Sequence, residues 1–280
     1  MNAFVESLAG AVARSTEAIK QEEGDYIKDG LLYCGKCNTP KQMELPIMDL
    51  VLKPHIKCEC MKLLEKEAKE EESRREFAEM VRKNRRDCFP EGNLASWTFE
   101  NDDGSNAKYI NAMKRYVANF ENYLDQGRGV LLYGPTGTGK TYLAACIANA
   151  LIDKGHRVIF TSLSQIERTL QSKKADRQDY IDLLSRVPLV VLDDIGTQRD
   201  TSYMNEIVYD VINARYTAGL PLIGTTNLTL AELSKPEERK EQRIYGRLLE
   251  MCYPVEVKGR NKRQDKMMDT YAPMRDFLGV

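Results

Sequence analysis

Eight residues constrain this chain more than any other stretch: Gly134, Pro135, Thr136, Gly137, Thr138, Gly139, Lys140 and Thr141. They satisfy G-x-x-x-x-G-K-[ST] in full, with an apolar run (Val130 to Tyr133) before them and a helix-forming run, TYLAACIANALID, after them. A backbone that curls round a phosphate chain needs glycine where its amides converge, because a Cβ would obstruct the approach. The N-terminus of the following helix adds partial positive charge beneath the phosphates. Lys140 is placed to reach β- and γ-phosphates, and the Thr141 hydroxyl to hold Mg²⁺. Strand, loop and helix in this order commit the surrounding chain to an α/β fold.

The pattern after Pro90 agrees. Five short apolar runs read as strands: GVLLY (129–133), RVIFTS (157–162), LVVLDD (189–194), LPLIGTT (220–226) and PVEVK (254–258). Between them lie helix candidates: one from Gly139, one from Ser164 with the capping pair Ser164/Glu167, one near Tyr203, and one after Thr229/Glu232. Strands alternating with helices imply a mostly parallel five-stranded sheet covered on both faces. Binding sites in such sheets lie at the carboxyl ends of the strands.

Three further motifs fall at those ends or beyond. Leu189 to Leu192 is a buried-strand pattern ending in Asp193 and Asp194. Asp193 is the candidate Mg²⁺-side carboxylate, and Asp194 the residue that would orient or deprotonate an attacking water. Gly224-Thr225-Thr226-Asn227 ends another apolar strand, where the Asn227 amide could touch a γ-phosphate. Arg243 and Arg247 are four apart and share a helix face. They are either a surface charge pattern or cations for transition-state charge, which a neighbouring subunit can supply.

Taken in order, the P-loop, the Asp-Asp strand, the Thr-Thr-Asn strand and the paired arginines resemble AAA+ ATPases. The stretch LDDIGTQRDTSYMNEIVYDVINARYTAGLPLIGTTNLTLAEL, with RIYGRLLEMCYPVEVKG after it, is similar to the DnaC/DnaI-type replicative helicase loaders, in particular those of Gram-positive bacteria and their phages. IstB-type transposase helpers share this ATPase core. The resemblance spans roughly Ser96 to Arg263. It implies that Asn227 senses the γ-phosphate, that Arg247 acts as an arginine finger on a neighbour's ATP with Arg243 as its partner, and that Lys262 or Arg263 is the sensor-2 cation. It also puts Arg215 in the region facing an adjacent subunit. An Asp-Asp ending, where most AAA+ proteins have Asp-Glu, implies slow turnover suited to a switch.

Ahead of the ATPase pattern, Cys34-Gly-Lys-Cys37 and Cys58-Glu-Cys60 give C-x₂-C and C-x-C about a 20-residue spacer. Four thiolates so spaced can surround tetrahedral Zn²⁺, His55 could replace one thiol, and a short segment gains folding free energy from such an ion. A disulfide pair or unliganded thiols are the rivals, the first disfavoured by the expected compartment. Cys88, Cys146 and Cys252 read as buried small apolar residues. Residues 61–86 lack Gly and Pro, and their apolar positions are too sparse for a core-facing helix, so a solvent-exposed helix is expected. A further helix-capable stretch covers about Val5 to Lys20. The expected division is a zinc-binding, helicase-interacting module (1–60), a charged helical linker (61–90) and an AAA+ ATPase domain (91–280).

Lysine plus arginine (41) nearly cancels aspartate plus glutamate (42), so any pull on nucleic acid must be local. Arg82 to Arg86 and Lys258 to Arg263 are the two basic clusters, each either a solvated surface or a contact for a single-strand backbone. No apolar run approaches the roughly 20 residues that span a bilayer, and no secretory signal is recognisable. The expectation is a cytoplasmic ATPase, stimulated by single-stranded DNA, self-associating through its AAA+ domains and loading a hexameric replicative helicase. An IstB-like transposition helper is the alternative, against which the cysteine segment counts. A small-molecule kinase lacks a recognisable acceptor pocket and lid, and an inert adaptor is at odds with the intact lysine, threonine and aspartates.

Overall fold

The computed structural model describes residues 21–47, 50–90, 93–172, 176–196, 202–236 and 239–279. The helix expected over Val5 to Lys20 lies outside them. The chain divides into two compact units, 1–78 and 79–280.

The first unit is built from two hairpins and the start of a long helix. β1 (Tyr26–Lys28) pairs antiparallel with β2 (Leu31–Tyr33) through Asp29 and Gly30. Both of these have positive φ (51° and 74°), as a two-residue type I′ turn requires. β3 (Leu45–Ile47) pairs with β4 (Leu50–Leu52). Little apolar core is available, and a buried ion pair helps to knit the unit. The Lys41 ammonium, only 6% exposed, donates to Asp25 Oδ2 at 2.6 Å and to Glu22 Oε2 at 2.9 Å. Lys41 holds the Asp25 carboxyl below its ordinary range, and the Gly35 amide, 3.1 Å from Oδ1, adds to this. α1 (Glu59–Cys88) then runs for 30 residues across the unit boundary. Leu63, Leu64, Phe77 and Met80 are exposed along it, as the sparse apolar pattern implies.

The second unit begins with the last turns of α1, where Val81 and Cys88 join the core and Arg85 pairs with Asp153. Its sheet contains β5 (Gly129–Tyr133), β6 (Val158–Ser162), β7 (Leu189–Ile195), β8 (Leu222–Thr226) and β9 (Cys252–Glu256) in the order β6-β7-β8-β5-β9, with every pair parallel. Side-chain alternation sorts residues between the faces. Val130, Leu132, Leu189, Val191 and Ile223 face one core cluster, and Leu131, Val190, Leu192 and Leu222 face the other. The first cluster includes α2 (Ala107–Ala118) and α4 (Lys140–Asp153), with the short α3 (Phe120–Asp125) between them. The second includes α5 (Leu163–Gln171), α6 (Arg177–Leu184), α7 (Ser202–Ala218), α8 (Leu230–Ser234) and α9 (Arg239–Met251). α10 (Lys262–Leu278) ends the described fold. Among the described residues no helix is long and apolar enough to cross a membrane.

Two local expectations are corrected. The cap of α5 is Ser162, whose hydroxyl accepts from the Gln165 amide, so the helix starts before Ser164. The last strand begins at Cys252, two residues earlier than its apolar run. It tolerates Pro254 because it is an edge strand, where a missing amide donor breaks no ladder on its open side. The capping box Thr229/Glu232 is present as read.

Arg215 is also corrected. It faces no neighbour: it is fully buried, and its guanidinium donates to the carbonyls of Leu184 (2.9 Å), Val187 (2.6 Å), Pro188 (3.1 Å) and Pro221. The 184–188 stretch, the helix that carries Arg215 and the residue before β8 are thereby tied together at the starts of β7 and β8. Burial pulls the group down to about 10, so it stays charged at neutral pH. Arg215→Met should leave these carbonyls unsatisfied and cost about 3 kcal/mol or more. For a unit of this size that corresponds to a melting midpoint lower by roughly 6–12 °C in a thermal unfolding scan.

Candidate functional site

The P-loop leaves β5 at Tyr133 and enters α4 at Lys140, as the motif predicts. Gly137 and Gly139 hold φ of +82° and +97°. A methyl on Gly137 would lie 1.9 Å from Asn261 Oδ1, and one on Gly139 would lie 2.8 Å from Asn106 Nδ2. Glycine is therefore required at both by backbone sign and by space. α4 is buried from Leu143 to Asn149, which fixes the loop above a rigid rod.

Lys140 is 5% exposed, and its ammonium has three acceptors at 2.8 Å: the carbonyls of Gly134 and Pro135, and Asn227 Oδ1. An ammonium has three donors, and each is used. Burial pulls the Lys140 pKa down, while Asp194 and Asp193 push it back. The end of β8 is thus tied to the P-loop before any ligand is considered. An incoming phosphate can exchange its oxygens for these acceptors.

The two aspartates part company at a bulge. The pairing of β7 with β8 slips between Leu192 and Ile195, and Asp194 adopts φ 57°. Bulges re-aim side chains beside functional sites. Here Asp193 accepts from the Thr225 hydroxyl at 2.6 Å, and Thr141 is near enough to help hold its pKa down. Burial raises the Asp193 pKa, and the Thr225 bond partly offsets it. Asp194 lines the cleft instead, its amide donating to Thr225 Oγ1 at 2.9 Å.

The cleft has a volume of about 1030 Å³. Thr136 to Thr141, Asp194, Asn227, Lys262 and Arg263 line it. Lys262 is engaged by Asp103 at 3.2 Å and its amide donates to the Gly137 carbonyl at 3.0 Å, whereas Arg263 faces the cleft and acts on the charge of Lys140. Arg243 and Arg247, on α9, are not among the residues lining this chain's own cleft. Of the Lys258 to Arg263 cluster, Lys258 pairs with Glu256 at 3.0 Å and Arg260 lines the cleft.

Sequence reasoning missed one wall. Trp97, Asn101 to Asp103, Ser105, Asn106 and Tyr142 also line the cleft. Asn149, deep in α4, donates to the carbonyls of Leu94 (2.9 Å) and Trp97 (3.0 Å), and the Tyr142 hydroxyl donates to the Thr98 carbonyl at 2.8 Å. These bonds fasten the segment before α2 over the P-loop helix. Asn106 Nδ2 and Asp102 Oδ1 are enclosed without a partner. The available sequence signal was only a buried-polar position (Asn149) inside an apolar helix.

In the first unit the sulfurs of Cys34, Cys37, Cys58 and Cys60 all lie within 4.8 Å of one another, and His55 is not among the group. His55 is instead opposite Gln42 in an isolated bridge. Cys60 is 3.6 Å from Cys34 and 3.4 Å from Cys58. Zn–S bonds of about 2.3 Å in a tetrahedron need sulfurs about 3.8 Å apart, so the four thiols fit zinc. The Thr39 hydroxyl, 3.0 Å from Cys37 Sγ, leads in pulling that thiol down to about 5, while the sulfurs of Cys58, Cys34 and Cys37 push Cys60 up to about 12. A C-x-C pair suffices because α1 starts between Cys58 and Cys60, so a helical turn takes the place of a second knuckle. Cys88, Cys146 and Cys252 are buried, as expected.

Residues 55–269 match the family described as IstB-like ATP binding protein. The chain belongs to that family. The fold is that of an AAA+ ATPase: the crystal structure of DnaI superposes with a TM-score of 0.51 at 27% identity, over 61% of this chain and 92% of that one. The replicative helicase loader DnaI of Bacillus subtilis (strain 168) is 29% identical over 185 residues, 61% of this chain and 59% of its own length. An insertion-sequence ATP-binding protein of Mycobacterium tuberculosis (strain ATCC 25618 / H37Rv) is 34% identical over 161 residues, 56% and 62% respectively. The matched region thus spans about three fifths of either curated relative. The family is one that binds ATP.

Two outcomes check this site. Gly137→Ala should weaken ATP binding at least about tenfold in a titration with fluorescent nucleotide, because the methyl forces the loop off its φ and onto Asn261. The purified chain should hold one zinc by elemental analysis, and Cys58→Ser should lower that content.

Proposed function

We propose that this protein is an ATP-hydrolysing loader that places a hexameric replicative helicase on single-stranded DNA. The observation that carries this reading over others in the family is the four-cysteine module. Ile27 and Val51 are 72% and 57% exposed on it, and Tyr26, Met43 and Leu45 are exposed as well. So many apolar side chains on so small a unit suit a protein partner, here the helicase. The relative DnaI, a helicase loader by name, supports the same choice.

In this reading Lys140 exchanges its three protein acceptors for β- and γ-phosphate oxygens. Thr141 and Asp193 hold Mg²⁺, which supplies charge neutralisation on the phosphates. Asp194, in the cleft, orients the attacking water. Asn227, released from Lys140, reads the γ-phosphate and passes its presence to β8. Arg263 is the sensor-2 cation, since Lys262 is engaged by Asp103. Arg247, with Arg243 beside it, completes the ATP site of the next copy, so that hydrolysis takes place between subunits. Residues 1–60 form the helicase-binding module, 61–90 the linker and 91–280 the ATPase, working in the cytoplasm.

A second reading, an IS21-type transposition helper, has the 34% identity to the insertion-sequence protein in its favour. The two differ in partner. Under the loader reading, the full chain captures the replicative helicase in a pull-down, and Ile27→Glu with Val51→Glu weakens capture at least about tenfold. Lys140→Ala and Arg247→Ala each abolish hydrolysis stimulated by single-stranded DNA. Capture of a transposase, with no helicase retained, would decide for the helper.

A further inference from the structure

α7 and α9 carry a second constellation, away from the chain's own cleft. The guanidinium carbon of Arg247 lies 4.9 Å from the centre of the Tyr209 ring and 5.6 Å from that of Tyr216. The Tyr216 hydroxyl donates to Glu250 Oε1 at 2.9 Å, which fixes the second ring from α9 itself. Arg247 is half-buried, and its Nη1 is enclosed with no hydrogen-bond partner. Aromatic faces attract a cation but do not satisfy the in-plane N–H donors of a guanidinium. The side chain is therefore oriented and left short of an anion. Leaving a buried charged donor unpaired is costly, and an anionic partner supplied from outside would relieve that cost.

We infer that Tyr209 and Tyr216 are positioning residues that hold Arg247 ready to meet the γ-phosphate of ATP bound by a second copy of this chain. This rests on the reading of Arg247 as the cation that acts across subunits. A free arginine loses rotamer freedom when it is immobilised. Two flanking rings remove that loss before the transition state forms, so their effect falls on kcat more than on KM.

The test is steady-state ATP turnover of the full chain with single-stranded DNA. Replacing both tyrosines by leucine should lower kcat at least about tenfold and leave KM for ATP within about twofold. Replacing both by phenylalanine, which keeps the rings, should retain at least about half the turnover. Mixing decides between positioning and mere damage. Lys140→Ala copies have a dead site and an intact Arg247, and the leucine variant has an intact site and a loose Arg247. Their mixture should turn over ATP faster than the two preparations do separately. A silent mixture would overturn the inference, since the lost rings would then be harming their own subunit. So would normal turnover of the double leucine variant, or of both single variants Tyr209→Leu and Tyr216→Leu, beside a dead Arg247→Ala. Normal turnover of Arg247→Ala itself would instead remove the underlying trans reading.

Discussion

A buried ammonium cannot be left without acceptors, and the nucleotide site is organised round that requirement. Lys140 sits where the loop after β5 meets the end of β8, and it draws Gly134, Pro135 and Asn227 to within 2.8 Å. The central position of β5 and β8 in the sheet makes this possible, because parallel neighbours deliver their carboxyl ends to one edge. β7 adds the aspartates from the other side of β8, and Thr225 of β8 holds Asp193 in place. A single charge thus links the strand that leads into the P-loop with the strand that ends before Asn227.

The first unit meets a different version of the same need. With too little apolar area for an ordinary core, it is held by polar and metal-ready contacts: the Lys41–Asp25 pair and four sulfurs that fit one zinc ion. Its surplus apolar residues point outwards. The second unit instead spends its apolar residues on two packed faces of a sheet.

Much of this was legible in the linear order of residues wherever the physics is local. The P-loop needs glycine at set positions along one short loop, so eight consecutive residues define it. The Thr229/Glu232 capping box is also contained within four residues. Ser162 ends β6 and also caps the next helix, whereas Ser164 offers the same cap signature two positions on, and only the actual end of β6 chooses between them. The family resemblance implies an interface place for Arg215, and the structure buries it instead. Its four carbonyl acceptors come from segments 6 to 31 positions away, and nothing in a linear string announces their convergence.

The sequence by itself determined the class of fold, the phosphate loop, the strand-end carboxylates and the four zinc-ready thiols, since each depends on spacing within one element or on a motif dense enough to stand alone. Tertiary structure decided how these features are used. Around a register slip between β7 and β8, Asp193 is held by Thr225 and Asp194 lines the cleft. Asn149 and Tyr142 hung a wall of Trp97 to Asn106 over the P-loop, and two tyrosines on one helix took hold of an arginine on another. Those outcomes depend on which distant segments the packed core brings within hydrogen-bond or ring-contact range, a property of the folded chain as a whole that no local pattern of residues encodes.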